Sequence, residues 1–140
     1  MPTSKRLQDG VESIFILLDE GCAFPQTLTA ASDSHSNVYG GVARAGTPIV
    51  RTDAAALWAT GKACLQVPCM VVAEFKGAPG ATGKDVIVAL RGSFNRDEVL
   101  GAAVGFTGEG VSCLSVDDHL TIANMTAGWG AAPKHPRVNR

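Results

Sequence analysis

The apolar residues of this chain fall in short runs, each closed by residues that stop a regular element. Ile14 to Leu18 is apolar throughout, and its spacing fits a buried strand or a helical turn equally well. Thr27-Leu28-Thr29-Ala30-Ala31 alternates in the manner of a strand and delivers a polar stretch, Ser32 to Asn37, followed by Gly40-Gly41. Thr52 or Asp53 is placed to cap a helix over Ala54–Thr60, with Gly61 as its left-handed stop. Cys69 to Phe75 reads as a second strand, closed by Gly77-Ala78-Pro79-Gly80. Thr82-x-x-Asp85 opens a second helix through Leu90, with Gly92 as its stop. A strand is expected over Ala102–Phe106, and Ser115-x-x-Asp118 opens a third helix to about Ala127. Both helix openings are capping boxes with Asp in the place of Glu.

Strands alternating with helices predict an α/β fold, here a three-layer α/β/α arrangement around a mixed, partly parallel sheet. At 140 residues the chain accommodates one domain, read as a single partial one over 1–140. The tail from Pro133 to Arg140 reads as a frayed end. No repeat or low-complexity stretch interrupts it.

Composition sharpens this picture in one respect. Hydrophobic residues make up 46% of the chain and charged residues only 18%, low for a small domain that must cover its own surface. Faces buried against further polypeptide account for that balance. A net charge of −1 with no basic stripe argues against nucleic-acid binding. No apolar run approaches the length of a membrane span, and Met1 to Arg6 is too short to read as a targeting segment. Cys22, Cys64, Cys69 and Cys113 form no C-x-x-C pair and no zinc-ligand spacing, so they read as small apolar fillers.

Candidate chemistry concentrates in Asp33-Ser34-His35, at the C-terminal end of a predicted strand, where ligands of open α/β sheets bind. A carboxylate, a hydroxyl and an imidazole offer acid, nucleophile and proton carrier. On an extended backbone Asp33 and His35 share a side and Ser34 faces away, so each is expected to need partners from elsewhere. A hydrogen-bonded polar turn is the competing reading. Ala78 to Asp85 has the setting of a phosphate loop, but Ala78 and Asp85 stand where that loop needs glycine and a hydroxyl. A helix-capping turn explains the same residues. His119 reads as a solvated or core-satisfying histidine and His135 as an exposed one.

The run Ala31-Ser32-Asp33-Ser34-His35-Ser36-Asn37-Val38-Tyr39-Gly40-Gly41 resembles the Asp-Ser-His signature of the aconitase superfamily, and its continuation resembles the homoaconitase branch. Gly46 to Gly61, Thr82 to Leu90 and Leu120 to Thr126 continue the resemblance in the family's order, from about Asp19 to Ala131. The resemblance implies a lyase: a hydro-lyase that interconverts homoaconitate and homoisocitrate on the fungal route to lysine, in mitochondria. It also implies a 4Fe–4S cluster with one iron open to a tricarboxylate substrate. Asp33, Ser34 and His35 match the family's catalytic triplet.

Several family features have no counterpart here. The family's partner histidine falls at Ile14, with Phe15 in the place of the following glutamine, and its partner glutamate falls at Gly128. The Cys-Thr-Asn and Gly-Pro-Cys-x-x-Cys segments that bind the cluster do not occur, and none of the four cysteines matches them, so no metal ligand is assigned. The chain is therefore expected to begin and end inside a larger domain and to be inactive alone. The alternatives are an interaction subunit that completes a split site with the remainder of the enzyme as a separate chain, and a non-catalytic polycarboxylate- or metal-binding α/β module.

Overall fold

The computed structural model describes residues 13–78 and 80–131. In chain order it contains helix α1 (Ser13–Asp19), strand β1 (Leu28–Ala31), a 3-10 helix (Ser36–Val42), β2 (Ala45–Pro48), α2 (Arg51–Thr60) and β3 (Met70–Glu74). There follow α3 (Gly83–Ser93), β4 (Ala103–Thr107), α4 (Glu109–Ser112), α5 (Val116–Met125) and a second 3-10 helix (Ala127–Trp129). The ambiguous run at Ile14 to Leu18 is thus helical. Ile14 and Phe15 fall in α1, with their side chains outside the described part of the structure.

The α/β class is as expected, but the strands do not form one sheet. β1 pairs with β2 and β3 with β4, both in parallel, and these are the pairings among the described residues. The mixed character expected of the sheet is not seen there. Each parallel pair is joined by a crossover: the first 3-10 helix for β1 and β2, and α3 for β3 and β4.

α5 binds the two halves together. It packs chiefly on the first 3-10 helix and on α3. Two glycines permit the approach: a Cβ at Gly41 would lie 2.7 Å from the Leu120 backbone, and one at Gly83 would lie 2.7 Å from the Asp118 carbonyl oxygen. Val38 and Tyr39 of the 3-10 helix form a buried cluster with Leu18, Ala23 and Leu120 packed against them. Ile87 from α3 and Ile122 and Ala123 from α5 are buried as well.

The capping boxes form as the sequence predicts. Thr82 Oγ1 accepts from the Asp85 N–H and Ser115 Oγ from the Asp118 N–H, with the carboxylates returning to the cap residues. This disposes of a phosphate loop at 78–85, since Asp85 is committed to Thr82.

Other boundaries shift. α2 starts at Arg51, with Val50 as a cap that makes no side-chain hydrogen bond, in place of Thr52 or Asp53. Gly61 does close it in the left-handed region. α3 runs through Gly92 to Ser93, because Gly92 keeps a negative φ and the Phe94 N–H continues the ladder to the Leu90 carbonyl. α5 ends at Met125 and passes into the 3-10 turn at Ala127.

The low charge fraction has a structural counterpart. α2 buries none of its residues, and Trp58 on it is 90% exposed. Val67, Met70 and Val116 are exposed too. The cysteines depart from expectation: all four are free and exposed rather than buried fillers, since they lie beside surfaces that no described residue covers. No helix among the described residues is long and apolar enough to cross a membrane.

Candidate active site

β1 ends at Ala31, and the chain then turns instead of continuing extended. Asp33 Oδ1 accepts a hydrogen bond from the His35 N–H at 2.6 Å, the Asx turn that a short carboxylate favours. Ser36, fully buried, locks the far side of the turn by donating its hydroxyl to the Asp33 carbonyl at 2.7 Å. His35 then caps the 3-10 helix with φ −100° and ψ 18°, in the sparsely allowed bridge region where many active-site residues sit.

This turn overrides the strand alternation expected for the triplet. Ser34 does not face away: its Oγ lies 3.1 Å from His35 Nδ1, and Asp33 Oδ1 lies 3.8 Å from the same nitrogen. The three side chains therefore meet around one atom. They still do not compose a serine-hydrolase triad, in which the hydroxyl and the carboxylate engage opposite ring nitrogens. Both groups here address Nδ1, and no hydrogen-bond partner for Nε2 is found among the described residues. An acceptor at Nδ1 favours the tautomer with its proton there, which leaves Nε2 as a base. The imidazole is 60% exposed and the Asp33 carboxylate 44%, so Nε2 is open to an incoming molecule.

Neighbouring groups are anchored to this turn. Asn37 donates to Thr126 Oγ1 at 3.1 Å and to the Ala131 carbonyl at 2.8 Å, which brings the second 3-10 helix alongside. Gly128 lies between those two anchor points, and a Cβ added there would sit 3.2 Å from the Arg91 guanidinium. A cation thus lies beside the position where the resemblance places a glutamate. Burial pushes the Tyr39 phenol above its ordinary value; Arg44 opposes this and the Asp33 charge adds to it.

Arg44 itself is spoken for. Its guanidinium donates to the Cys22 carbonyl at 2.9 Å and to the Leu28 carbonyl at 3.3 Å, so it braces the segment after α1 against β1. Arg51, the other cation near in sequence, opens α2 on an exposed face. His119 satisfies the core: its Nε2 lies 2.9 Å from the Val111 carbonyl. His135 lies outside the described residues.

An iron–sulfur cluster needs several thiolates converging on one pocket. Cys22 follows α1, Cys64 and Cys69 lie in the segment between α2 and β3, and Cys113 follows α4. Among the described residues, no group of three or more His, Cys, Asp or Glu side chains is arranged to hold a metal ion. The donor set among the described residues does not fit such a cluster.

The parallel βαβ scaffold and the Asp-Ser-His turn at the end of β1 agree with the sequence comparison: the aconitase family (aconitate hydratase) matches over residues 10–133, and the chain belongs to that family. Members of the family generally bind a 4Fe–4S cluster and act on tricarboxylates. Within it, the chain is similar to the mitochondrial homoaconitase of Mycosarcoma maydis, 64% identical over 118 residues, covering 83% of this chain and 16% of that protein. The mitochondrial homoaconitase of Debaryomyces hansenii is 62% identical over 118 residues, covering 83% of this chain and 17% of its own length. That of Candida parapsilosis is 50% identical over 149 residues, covering 89% and 22%. The chain thus spans 16–22% of the length of these relatives.

Proposed function

We propose that this chain is the acid–base portion of a homoaconitate hydratase, carrying the proton-transfer triplet Asp33, Ser34 and His35, and that it does not turn substrate over alone. The observation that carries the reading is the turn after β1. Asp33 and Ser34 hold His35 from its Nδ1 side and leave Nε2 exposed as the proton carrier. Hydration of an alkene between two carboxylate-bearing carbons needs a proton moved at one carbon and a hydroxyl delivered at its neighbour. His35 Nε2 takes or returns that proton, while Asp33 balances the charge on the ring when it is protonated.

Three absences keep this chain from acting by itself. Its described residues offer no ligand set for the family's cluster. Its nearest cation in sequence, Arg44, directs both terminal guanidinium nitrogens to backbone carbonyls, which draws them away from a substrate carboxylate. Gly128, beside the site, contributes no carboxylate to tune a proton carrier. The same engagement of Arg44 disfavours a free-standing polycarboxylate-binding module. The relatives' location extends to this chain as a mitochondrial one, and the remainder of the enzyme is its partner.

The test is homoaconitate hydration by the purified chain, followed by absorbance of the alkene under anaerobic conditions with iron and sulfide supplied. No turnover above buffer is expected. Sustained turnover that vanishes in His35→Ala would show that the chain is a complete enzyme and overturn the reading.

A further inference from the structure

The Asp33–His35 contact is exposed, and an exposed charged contact contributes little by itself to holding an imidazole in place. The buried member of the turn is Ser36, next in the chain. Two of its donors go to one acceptor: the Ser36 N–H reaches the Asp33 carbonyl at 3.3 Å and the hydroxyl reaches it at 2.7 Å. The hydroxyl's other acceptor, the Ala31 carbonyl, is farther away at 3.4 Å. Asp33 is therefore held at both ends, its carbonyl by Ser36 and its carboxylate by the His35 N–H.

Ser36 is itself fixed from β2. A Cβ added to Gly46 would overlap the Ser36 carbonyl oxygen, so glycine is what lets the strand lie against that carbonyl. Support thus passes from the backbone of β2 to Ser36, and from Ser36 to Asp33.

The consequence falls on His35 Nδ1. A carboxylate oxygen can only accept, so Asp33 Oδ1, 3.8 Å from Nδ1, favours the proton on that nitrogen. Ser34 Oγ, 3.1 Å away, can give or take a hydrogen bond and follows the direction that the carboxylate sets. With Asp33 displaced, Ser34 is free to donate to Nδ1, and the ring proton moves to Nε2, which then accepts none from outside. We infer that Ser36, seated on Gly46, is a positioning residue that selects the His35 tautomer with Nδ1 protonated and Nε2 free to accept. It acts through Asp33. The inference deepens the proposed function and rests on it for the use made of Nε2, while its test reads the tautomer and not turnover.

The test labels the three histidines of the full 140-residue chain with nitrogen-15 in the ring and reads both ring nitrogens by NMR where the imidazoles are neutral. His35→Gln assigns the His35 signals. In the parent, the ratio of the Nδ1-protonated to the Nε2-protonated form of His35 is expected to exceed that of the same chain unfolded in urea by about threefold or more. Ser36→Ala is expected to return the ratio to the unfolded value. Ser36→Cys fills the site with a weak donor and is expected to lose most of the bias, and it carries the test if Ser36→Ala does not fold. Two controls separate tautomer selection from lost stability. His119, whose Nε2 lies 2.9 Å from the Val111 carbonyl, should keep its own tautomer in every folded variant. Ser115→Ala weakens the fold at the cap of α5 and should leave the His35 ratio at the parent value. A parent ratio equal to that of the unfolded chain overturns the inference. So does the parent ratio in folded Ser36→Ala or Ser36→Cys, or an equal shift in Ser115→Ala. Turnover of homoaconitate by the chain alone bears on the proposed function and not on these ratios.

Discussion

His35 owes its position beside Asp33 and Ser34 to where the strand stops. Had β1 continued past Ala31, Ser34 would have projected to the opposite face and Nδ1 would have lost one of its two neighbours. The Asx turn at Asp33 and the buried Ser36 hydroxyl enforce the bend, so a small polar residue outside the triplet fixes the geometry of the triplet. The exposed Asp33–His35 contact contributes little to stability, and its value lies in orientation. Stability at this scale comes from close approach instead. A Cβ at Gly41 would meet the backbone of Leu120, which cannot swing aside. Gly41→Ala is expected to lower the unfolding free energy by about 1–3 kcal/mol, read as a shift of the urea midpoint at unchanged m-value.

At the scale of elements, the two capping boxes do more than start their helices. Asp118 Oδ1 also accepts from the Gly83 N–H at 2.7 Å, so the cap of α5 ties down the first residue of α3. Ser115→Ala is expected to cost about 1 kcal/mol in chemical denaturation, and Thr82→Ala a similar amount. The Asp118 carboxyl is held below its ordinary range, first by the Ser115 hydroxyl and then by the Gly83 N–H. A carboxylate whose folded pKa is depressed stabilises the fold above its unfolded pKa and loses that contribution as pH falls through the folded one. The stability gap between the parent and Asp118→Asn should therefore be constant near neutrality and narrow below about pH 4, as measured by urea midpoints across pH. A gap unchanged down to pH 2 would contradict the assignment.

These boxes were legible in the sequence because Thr82-x-x-Asp85 and Ser115-x-x-Asp118 encode their own hydrogen bonds locally. β1, β3 and β4 were legible from their apolar runs, within a residue or so at each end. β2 was not: Ala45-Gly46-Thr47-Pro48 has the composition of a turn and is a strand only because β1 lies beside it. The 3-10 helix over Ser36–Val42 was equally hidden, since its paired glycines serve contact with α5, not local propensity. The triplet was found by its residue types, but its convergence on Nδ1 depends on a turn that strand alternation does not foresee. The cysteines misled because free cysteine is usually buried, and here the surfaces that would bury them are absent from the described residues.

As a whole, the described residues form a parallel α/β scaffold of two strand pairs, with an α2 that buries none of its residues and an exposed Asp33-Ser34-His35 turn. Trp58, 90% exposed, and Val67, 89% exposed, are large apolar side chains that the described residues leave uncovered. The aconitase-family membership, the low charge fraction and the cysteine placement underlie the proposed reading, in which the chain supplies proton transfer and not the cofactor ligands. The most direct measurement of that picture is iron and acid-labile sulfide per chain after anaerobic reconstitution and desalting. The cysteine placement predicts that metal and sulfide wash out to well below one cluster per chain. Retention of about four irons and four sulfides per chain, the content of an intact cluster, would contradict it.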